Sequence, residues 1–467
     1  MKRGRTGEKG AVLAITMVLA VVLFILFTAV FVLFNANIDS YRNTSDRIQA
    51  MATAEAGANI ALHELALGNG APAETAPYSL PGDSAQWMSI QGGDGKARVI
   101  IDPYDGNTIP NSIGAVEIRS RGLCGNVTRD VVIRASPDYP SRYALLMNRS
   151  ISQGFFVDGT FIDGPVHSNG SIGFSSLSSD STDDPYVAAI STSLEDFYFA
   201  DAGYSDVPHP ANSNIWIRPY RHHARGSPYW ETEADSIDFH AISQWFRQLQ
   251  NEAALQGTMI LGTGRIILKD DMLLFKNGID SPVDTIDLTG KEIVYIQCGG
   301  GRVYLKTSGS PDNAITLVST GPIFVAGSID KPRHDDSGPL GIVSLADIII
   351  AEDPDLSGDE DWPYPWSIET DQHLQIRAVV AAPNGCLRAQ NPGMPDPGMR
   401  FTIYGGLILN HFGLTGMGGK GYELAIAWNQ ALTRMHPPCF PDLNRWVISS
   451  WEQDRDYGEL SIDDNLF

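Results

Sequence analysis

Cysteine is scarce in this chain of 467 residues, which contains 4 and no C-x-x-C pair. The wide spacing of Cys124, Cys298, Cys386 and Cys439 argues against a zinc ribbon and a thioredoxin-type site. One or two disulfides and buried free thiols within strands both fit this spacing, and the sequence does not choose among the three full pairings.

Positive charge is also in short supply, with 33 Lys and Arg against 55 Asp and Glu and a formal net charge of −22. Such an acidic surface repels nucleic acid and anionic lipid headgroups. We therefore expect no nucleic-acid partner.

Several signatures of catalysis are missing. The chain has neither G-x-S-x-G nor H-E-x-x-H, so a serine hydrolase of that type and a zincin are not indicated. Gly416-x-Gly418-x-x-Gly421 matches a dinucleotide fingerprint, but the following YELAIAW predicts a strand where a helix is required. A turn or hairpin is the better interpretation, and we predict no cofactor and no enzymatic activity.

Asp163 and His167 in DGPVHSNG are the nearest approach to an acid–base pair. The competing interpretation is structural, since Asp and Asn side chains bond readily to their own local backbone. We favour the second, in which Asp163, His167 and Asn169 satisfy backbone groups in turns between stacked strands. No catalytic residue is predicted.

One acidic loop, AEDPDLSGDEDW, offers weak calcium candidates at Asp353, Asp355, Asp359 and Asp361. The EF-hand spacing fails because Tyr364 occupies the twelfth position. A solvated acidic insertion is the favoured interpretation, so no metal site is predicted.

The feature that is present is a long apolar run. Ala11 to Phe34 are uncharged and would form a helix of about 36 Å, enough to cross a bilayer core of about 30 Å. A removable signal peptide is the alternative, but its apolar region is usually about 7–15 residues long. We therefore predict a retained membrane anchor from Ala11 to Phe34.

Orientation follows from the basic residues ahead of this anchor, which are Lys2, Arg3, Arg5 and Lys9. By the positive-inside tendency the N-terminus stays in the cytoplasm. The sequence thus predicts a single-pass protein of the cytoplasmic membrane whose large C-terminal part is extracytoplasmic, in the periplasm or at the cell surface.

Helical character continues beyond the membrane to about Leu67, because this stretch has no Pro and is rich in strong helix formers. We predict one narrow apolar stripe along it. Its members are Ile38, Tyr41, Ile48, Met51, Leu62 and Leu65.

After the helix come short Val- and Ile-rich strands turned by Gly, Asn and Asp. Three of them, 96–101, 115–119 and 129–135, predict a small antiparallel unit whose apolar face the helix would cover. The later strands suggest a β-solenoid or a sandwich, and we favour an irregular right-handed parallel β-helix because several of these strands are apolar throughout. One helix, within 236–257, interrupts them, with Ile242, Trp245, Phe246, Leu249 and Ala253 on its apolar face.

The predicted fold class is therefore mainly β, with a long N-terminal pilin-like helix. The predicted segments are a cytoplasmic leader (1–10), the transmembrane and extramembrane helix (11–68), a linker (69–86), the antiparallel unit (87–136), the solenoid-like domain (137–445) with an insertion (175–257), and an acidic C-terminal tail (446–467).

Residues 8–66 resemble the N-terminus of PilX-like minor pilins. The resemblance is carried by Lys9-Gly10, the long apolar helix and the run Ala50-Met51-Ala52-Thr53-Ala54-Glu55-Ala56-Gly57; Arg119-Ser120-Arg121-Gly122 resembles the membrane-proximal β segment of such proteins. The resemblance implies a prepilin peptidase cleavage between Gly10 and Ala11 and assembly with other pilin-like subunits.

One departure concerns Ile15, at the fifth position after that bond, where most major pilins carry Glu. An unpaired charge in an apolar core costs several kcal/mol, so a subunit without this carboxylate would pack poorly inside a filament. The resemblance therefore points to an accessory, tip or initiating subunit.

A second resemblance covers most of residues 142–441 and is to a bacterial family of unknown function attached to pilin-type N-termini. It is carried by Arg142-Tyr143-Ala144-Leu145, by residues 162–170 (IDGPVHSNG), by residues 341–350 (GIVSLADIII), and by Pro437-Pro438-Cys439-Phe440-Pro441. No activity comes with it.

The leading hypothesis is a non-enzymatic, membrane-anchored minor pilin-like protein of a type IV pilus or a type II secretion-like filament. Its expected partners are the lipid bilayer, other pilin-like subunits and a prepilin peptidase. The alternative is a membrane-tethered β-helix that binds or processes envelope polysaccharide, or an adhesin. Clustered aromatic residues in PYWETE, DWPYPW and NRWVISSW would suit that alternative, although capping of a solenoid end explains them equally well.

Overall fold

A computed structural model describes most of the chain. The described residues are 7–67, 78–80, 86–90, 94–103, 115–149, 160–174, 186–195, 197–199, 207–209, 212–217, 225–226, 229–278, 281–309, 313–330, 338–351, 373–393, 399–417, 420–433, 435–443 and 445–453.

The elements are numbered in chain order. They are α1 (Gly7–Ala66), β1 (Tyr78–Leu80), β2 (Met88–Ser89), β3 (Lys96–Pro103), β4 (Val116–Cys124), β5 (Val127–Pro137), β6 (Leu145–Met147), β7 (Phe161–Ser168), β8 (Gly173–Phe174), β9 (Tyr186–Thr192), β10 (Tyr198–Phe199), β11 (Val207–His209), β12 (Asn212–Ile217), β13 (Arg225–Gly226), β14 (Tyr229–Glu231), α2 (Phe239–Gln256), β15 (Thr258–Leu261), β16 (Gly264–Lys269), β17 (Met272–Lys276), β18 (Val283–Asp287), β19 (Ile293–Gln297), β20 (Val303–Thr307), β21 (Thr316–Ser319), β22 (Ile323–Val325), β23 (Gly341–Ser344), β24 (Ile348–Ile350), β25 (Leu374–Ile376), β26 (Val379–Ala389), β27 (Met399–Tyr404), β28 (Gly406–Phe412), β29 (Gly416–Met417), β30 (Lys420–Ala427) and β31 (Trp446–Gln453).

The chain divides into two compact units. The first consists of 1–105, 114–136 and 446–467, and the second of 106–113 and 137–445. The second unit is thus inserted between β5 and β31 of the first.

The long helix expected from the sequence is confirmed. α1 is 60 residues long, which corresponds to about 90 Å at about 1.5 Å per residue. Its apolar side chains from Ile15 to Phe34 are exposed.

The small antiparallel sheet is also confirmed, with longer strands than predicted. Its order is β1-β3-β4-β5-β31, and β2 pairs with β3. β31 forms from the first residues of the segment predicted as an acidic tail, so residues 446–453 are part of this sheet. The remaining tail residues lie outside the described part of the chain.

α1 covers one face of this sheet, as expected, but the contact is made by small side chains. Ala50, Ala54, Ala58 and Ala61 are fully buried, and the last three belong to one cluster with Val and Ile side chains from β3, β4 and β5. The predicted single apolar stripe is wrong in this respect. Of its members, Leu65 is buried in this cluster and Met51 and Leu62 pack against it, whereas Tyr41 is 79% exposed and Ile48 is 67% exposed. Tyr41 and Ile48 therefore lie off the docking face, which the alanines share with Leu65.

The second unit is a large and mostly parallel sheet, in which three ladders of short parallel strands occur. Ladder one joins β15, β19, β21, β23, β26, β28, β6, β7 and β9, in that order. Ladder two joins β16, β20, β22, β24 and the end of β26. Ladder three joins β25, β27, β30, β7 and β9. Apolar side chains from all three ladders share one buried core.

The order of strands in ladder one differs from their order in the chain. Leu145, Leu146 and Met147 of β6 pair with Leu407, Ile408 and Leu409 of β28. β6, which comes first in the chain, therefore lies in the ladder next to β28, which comes near the end of the unit. The chain must then return to the opposite end of the ladder, where β15 lies.

α2 makes this return, and it confirms the helix expected within 236–257. Asp238 caps it by accepting a hydrogen bond from the backbone of Ala241. Ile242, Phe246 and Leu249 are buried against the outer face of ladder one. Trp245 was expected on that face, but it is 41% exposed and its indole Nε1 donates to the Cys439 carbonyl at 3.0 Å.

The glycine fingerprint lies in a hairpin, as expected. Gly416 and Met417 pair antiparallel with Gly421 and Lys420, and the predicted strand that follows is β30. A positive φ of 109° at Gly421 favours glycine there.

All four cysteines are unpaired in this structure. Cys124, Cys298 and Cys386 are buried, and Cys439 is half-buried with a φ of 60°. The thiols are free, as in the second alternative, but of the four only Cys124 and Cys386 lie in strands, β4 and β26.

We predict that enlarging the alanine face destabilises the first unit. Ala54→Leu should lower the free energy of unfolding by about 1–3 kcal/mol, because the site has no room for added methylenes. Ala52→Leu, at an exposed position on the same helix, should change it by less than about 0.5 kcal/mol. Thermal unfolding of the full chain in detergent measures both. Equal effects of the two substitutions would contradict the packing described.

Candidate functional site

The exposed apolar half of α1 is the candidate functional site. Among the described residues, one helix is long and apolar enough to cross a membrane, judged by length and composition alone. Its most apolar 18-residue window has a mean hydropathy of 3.2, and none of that window is buried. A surface of this kind requires lipid or a partner helix to cover it.

The predicted processing bond lies near the start of this helix. Gly10 and Ala11 are within α1, and Ile15, five residues into the predicted mature chain, is 65% exposed. The predicted anchor from Ala11 to Phe34 is therefore continuous with the rest of α1, with no break at the predicted membrane boundary.

A stalk of bare helix, residues 35–49, separates the apolar half from the sheet. Most of its side chains are exposed. Asp46 is an exception, since it lies near the end of the β4–β5 hairpin, where the Cys124 thiol is 3.9 Å from Asp46 Oδ1. Burial raises the pKa of that thiol, and the neighbouring carboxylate adds to the effect.

The Arg119-Ser120-Arg121-Gly122 motif shows how the sheet receives α1. Side chains alternate along β4, so Ser120 and Gly122 face the helix. A Cβ added at Gly122 would overlap the carbonyl oxygen of Ala50. This close approach explains why glycine occupies the position.

The two arginines of the motif lie on the opposite face of β4. Arg121 Nε donates to Asp130 at 2.7 Å, and Arg119 Nη2 lies 2.6 Å from Glu117. Glu117 also accepts from Arg134 at 3.1 Å. Partial burial raises the pKa of Glu117, but Arg119 and Arg134 together hold it below its usual value.

In the second unit, His167 is the nearest candidate for acid–base chemistry. Its Nδ1 lies 2.9 Å from Ser191 Oγ and its Nε2 lies 3.2 Å from Asn169 Oδ1. Asp163 is exposed on another part of β7 and is not among the hydrogen-bond partners of His167. The two residues considered as a pair therefore do not act on each other.

The orientation of the Asn169 amide determines which ring nitrogen of His167 carries the proton. The amide accepts from the backbone N–H of Ile237 at 2.8 Å and donates to the Ile237 carbonyl at 2.7 Å. Its oxygen therefore faces His167, so a neutral ring donates to it from Nε2. Ser191 Oγ, which lies 2.9 Å from Nδ1, is also 3.3 Å from the Val166 carbonyl, to which it donates. Burial lowers the pKa of His167, in agreement with a neutral ring.

Asn169 is one end of a series of asparagines that crosses four neighbouring strands. It donates to Asn148 at 3.2 Å, Asn148 donates to Asn410 at 2.9 Å, and Asn410 donates to the Asn384 carbonyl at 3.4 Å. Asn384 in turn accepts from Ser243 of α2 at 2.8 Å. We call Asn169, Asn148, Asn410 and Asn384 the asparagine ladder.

Of the asparagine ladder, our sequence analysis identified only Asn169. A signal was present, since LLMN and LILN each place Asn directly after a short apolar strand. The ladder satisfies buried polar groups and fastens the segment before α2, and both roles are structural.

The calcium candidates Asp353, Asp355, Asp359 and Asp361 lie outside the described residues, as does the aromatic segment DWPYPW. Within the described part of the chain, no group of three or more His, Cys, Asp or Glu is placed to hold a metal ion. Trp446, from the last aromatic segment, packs against the core of the small sheet.

Comparison with known proteins gives little further information. The chain matches no protein-family model, and it matches no curated protein. Among solved structures it is similar to the competence-associated pilin ComZ from Thermus thermophilus, with a TM-score of 0.37 and 12% sequence identity, over 87% of this chain and 97% of that chain.

We predict that Asn169→Ala destabilises the second unit by about 1–3 kcal/mol, because it removes the partner of the buried Ile237 backbone N–H and one of the two donors to the Ile237 carbonyl. Gln248→Ala, at an exposed position of α2, should have little effect. Urea unfolding of both variants measures the difference. If Asn169→Ala were as stable as Gln248→Ala, the asparagine ladder would not fasten the segment before α2.

We also predict that the stability of the second unit depends on pH through His167 and His436. Burial lowers the pKa of both side chains. The unfolded chain binds these protons near a pKa of about 6.5. Stability should therefore be complete above about pH 6.5 and fall as the pH drops through 6.5 towards the lower folded pKa values. His167→Gln should flatten the decline, measured as unfolding free energy against pH, whereas His240→Gln, exposed on α2, should leave it unchanged.

Proposed function

We propose that this chain is a membrane-anchored, non-enzymatic, pilin-like accessory subunit that assembles with other pilin-like subunits through α1. The observation that carries the proposal is the division of α1 into an exposed apolar half and a half that docks on the small sheet through alanines. A single helix of this kind suits a subunit that is stored in a bilayer and later packs against other helices.

The length of the exposed apolar half supports the membrane assignment. Residues 15–34 span about 30 Å as a helix, which equals the thickness of a bilayer hydrocarbon core. Ala50, the first fully buried alanine, is then about 24 Å beyond Phe34 along the helix axis. The small sheet would thus stand clear of the lipid headgroups.

The basic leader and the Gly10–Ala11 bond support the direction of insertion and the processing step. Lys2, Arg3, Arg5 and Lys9 favour a cytoplasmic N-terminus, where a prepilin peptidase acting at the membrane boundary would reach the bond. The remainder of the chain is then extracytoplasmic. Ile15 in place of the usual carboxylate favours a tip or initiating position over the filament interior.

In this proposal the second unit is a displayed domain. We interpret its three ladders as the faces of one right-handed coil, the irregular β-helix expected from the sequence. His167 supports the absence of catalysis, because both of its ring nitrogens are engaged by neutral side chains and it is only 3% exposed.

The test is the processing bond. We predict that Gly10→Val keeps the ten leader residues on the protein and reduces filament number, because it replaces the residue directly before the proposed cleavage bond. Gly4→Val, within the leader but away from the bond, is the matched control. N-terminal sequencing and intact mass give the first residue, and electron microscopy counts the filaments. A wild-type protein that begins at Met1, together with unchanged filaments in the Gly10 variant, would remove the assignment.

A further inference from the structure

The aromatic residues of α1 occupy one side of the helix. They follow alternating steps of three and four residues, and Ile38 and Ile48 extend the same series. We call this set the aromatic stripe: Phe24, Phe27, Phe31, Phe34, Ile38, Tyr41 and Ile48. Ser45 is the one polar residue at a position of the series. A seven-residue repeat of this kind is typical of a helix that packs along another helix.

The stripe is open in this structure. Phe24 is 72% exposed, Phe27 is 71% exposed and Tyr41 is 79% exposed. At about 100° per residue, the stripe is centred about 180° around the helix from the alanine face that docks on the sheet. The small sheet therefore leaves the stripe available to a partner, and of its members only Ile38 is half-buried.

The stripe crosses the predicted lipid boundary, and this restricts what would cover it. Phe24 to Phe34 lie within the apolar half, whereas Tyr41 and Ile48 lie about 10 and 21 Å beyond Phe34. Lipid tails would cover Phe24 to Phe34 and leave Tyr41 and Ile48 in water. A soluble protein could cover Tyr41 and Ile48 but could not reach the residues inside the bilayer. A helix that crosses the same boundary covers both parts.

The positions beside the stripe allow that helix to be identical. On the water side, the flanking residues are Asn35, Asn37, Thr44 and Gln49, which are uncharged, and Arg42. In a parallel pair Arg42 would lie beside the asparagine at position 37 of the second copy, and no like charges would meet. Asp39 and Asp46 project away from the stripe.

We propose that α1 pairs in parallel with the α1 helix of a second copy of this chain through the aromatic stripe. The inference rests on the proposed membrane placement of α1. It goes beyond that proposal by naming the face and the partner. A strict seven-residue repeat has a shorter period than the straight helix, so the two helices would cross in a left-handed sense.

Cysteine cross-linking of the full chain in native membranes tests the pairing. Tyr41→Cys and Ile48→Cys place a thiol on the stripe, whereas Ser40→Cys and Asn43→Cys place one on the opposite side at nearly the same depth. We expect oxidation to give a disulfide-linked homodimer with the first two variants. The other two should match the background of the wild-type chain.

Substitutions within the membrane supply a second measurement. In the Tyr41→Cys background, Phe27→Ala with Phe31→Ala should reduce the dimer about fivefold, because aromatic contacts contribute to such pairs. Ile25→Ala with Val32→Ala, on the opposite side, should leave the dimer unchanged. Equal yields from all four cysteine positions would indicate random collision and overturn the proposal.

The remaining outcomes separate this inference from the proposed function. Absence of dimer at every position, with the chain still in the membrane fraction, overturns the pairing and leaves the anchor intact. A cross-link from Tyr41→Cys to a different protein overturns the identity of the partner. Recovery of the chain outside the membrane fraction removes the proposed function itself.

Discussion

The close contact between the alanine face of α1 and the small sheet decides how the rest of this molecule is used. Alanines bring the helix backbone near the strands, and Gly122 removes the one Cβ that would keep Ala50 away. Because this contact begins at Ala50 and involves one side of the helix, it determines both the length of bare stalk and the face that is left open. A larger side chain on that face would change both.

The second unit depends on a different constraint, which is that strands from distant parts of the chain complete one ladder. β6 pairs with β28, and Asn148 bonds Asn410 across 262 residues. β6, β7 and β9 lie at one end of ladder one, and β15 lies at the other. The chain between β9 and β15 must therefore span the ladder, and α2 is part of this connection. The asparagine ladder and the apolar side chains of α2 then hold that connection on the outer face.

Two buried polar groups of the second unit, His167 and Asp138, are held by neighbouring side chains. His167 is held neutral between Ser191 and Asn169. Asp138 is paired with Arg445 at 2.7 Å where the chain enters and leaves the unit, although burial raises the pKa of that carboxyl. The two residues also exchange a backbone hydrogen bond, from Asp138 N–H to the Arg445 carbonyl. These contacts hold the two ends of the insertion together.

The sequence by itself determined the elements that depend on local pattern. Composition and the lack of proline predicted α1 to within a residue or two of its end, and alternation predicted β3, β4 and β5. Tertiary structure decided what local pattern does not encode. The docking face of α1 consists of alanines, whose weak apolar signal is overshadowed by larger residues such as Tyr41 that remain exposed. Trp245 faces outward because the Cys439 carbonyl offers its indole a hydrogen bond. β31 joins the small sheet, and β6 follows β28, because strand pairing joins residues hundreds of positions apart. Such partners are selected by the buried surface they complete together, and no window of sequence contains both.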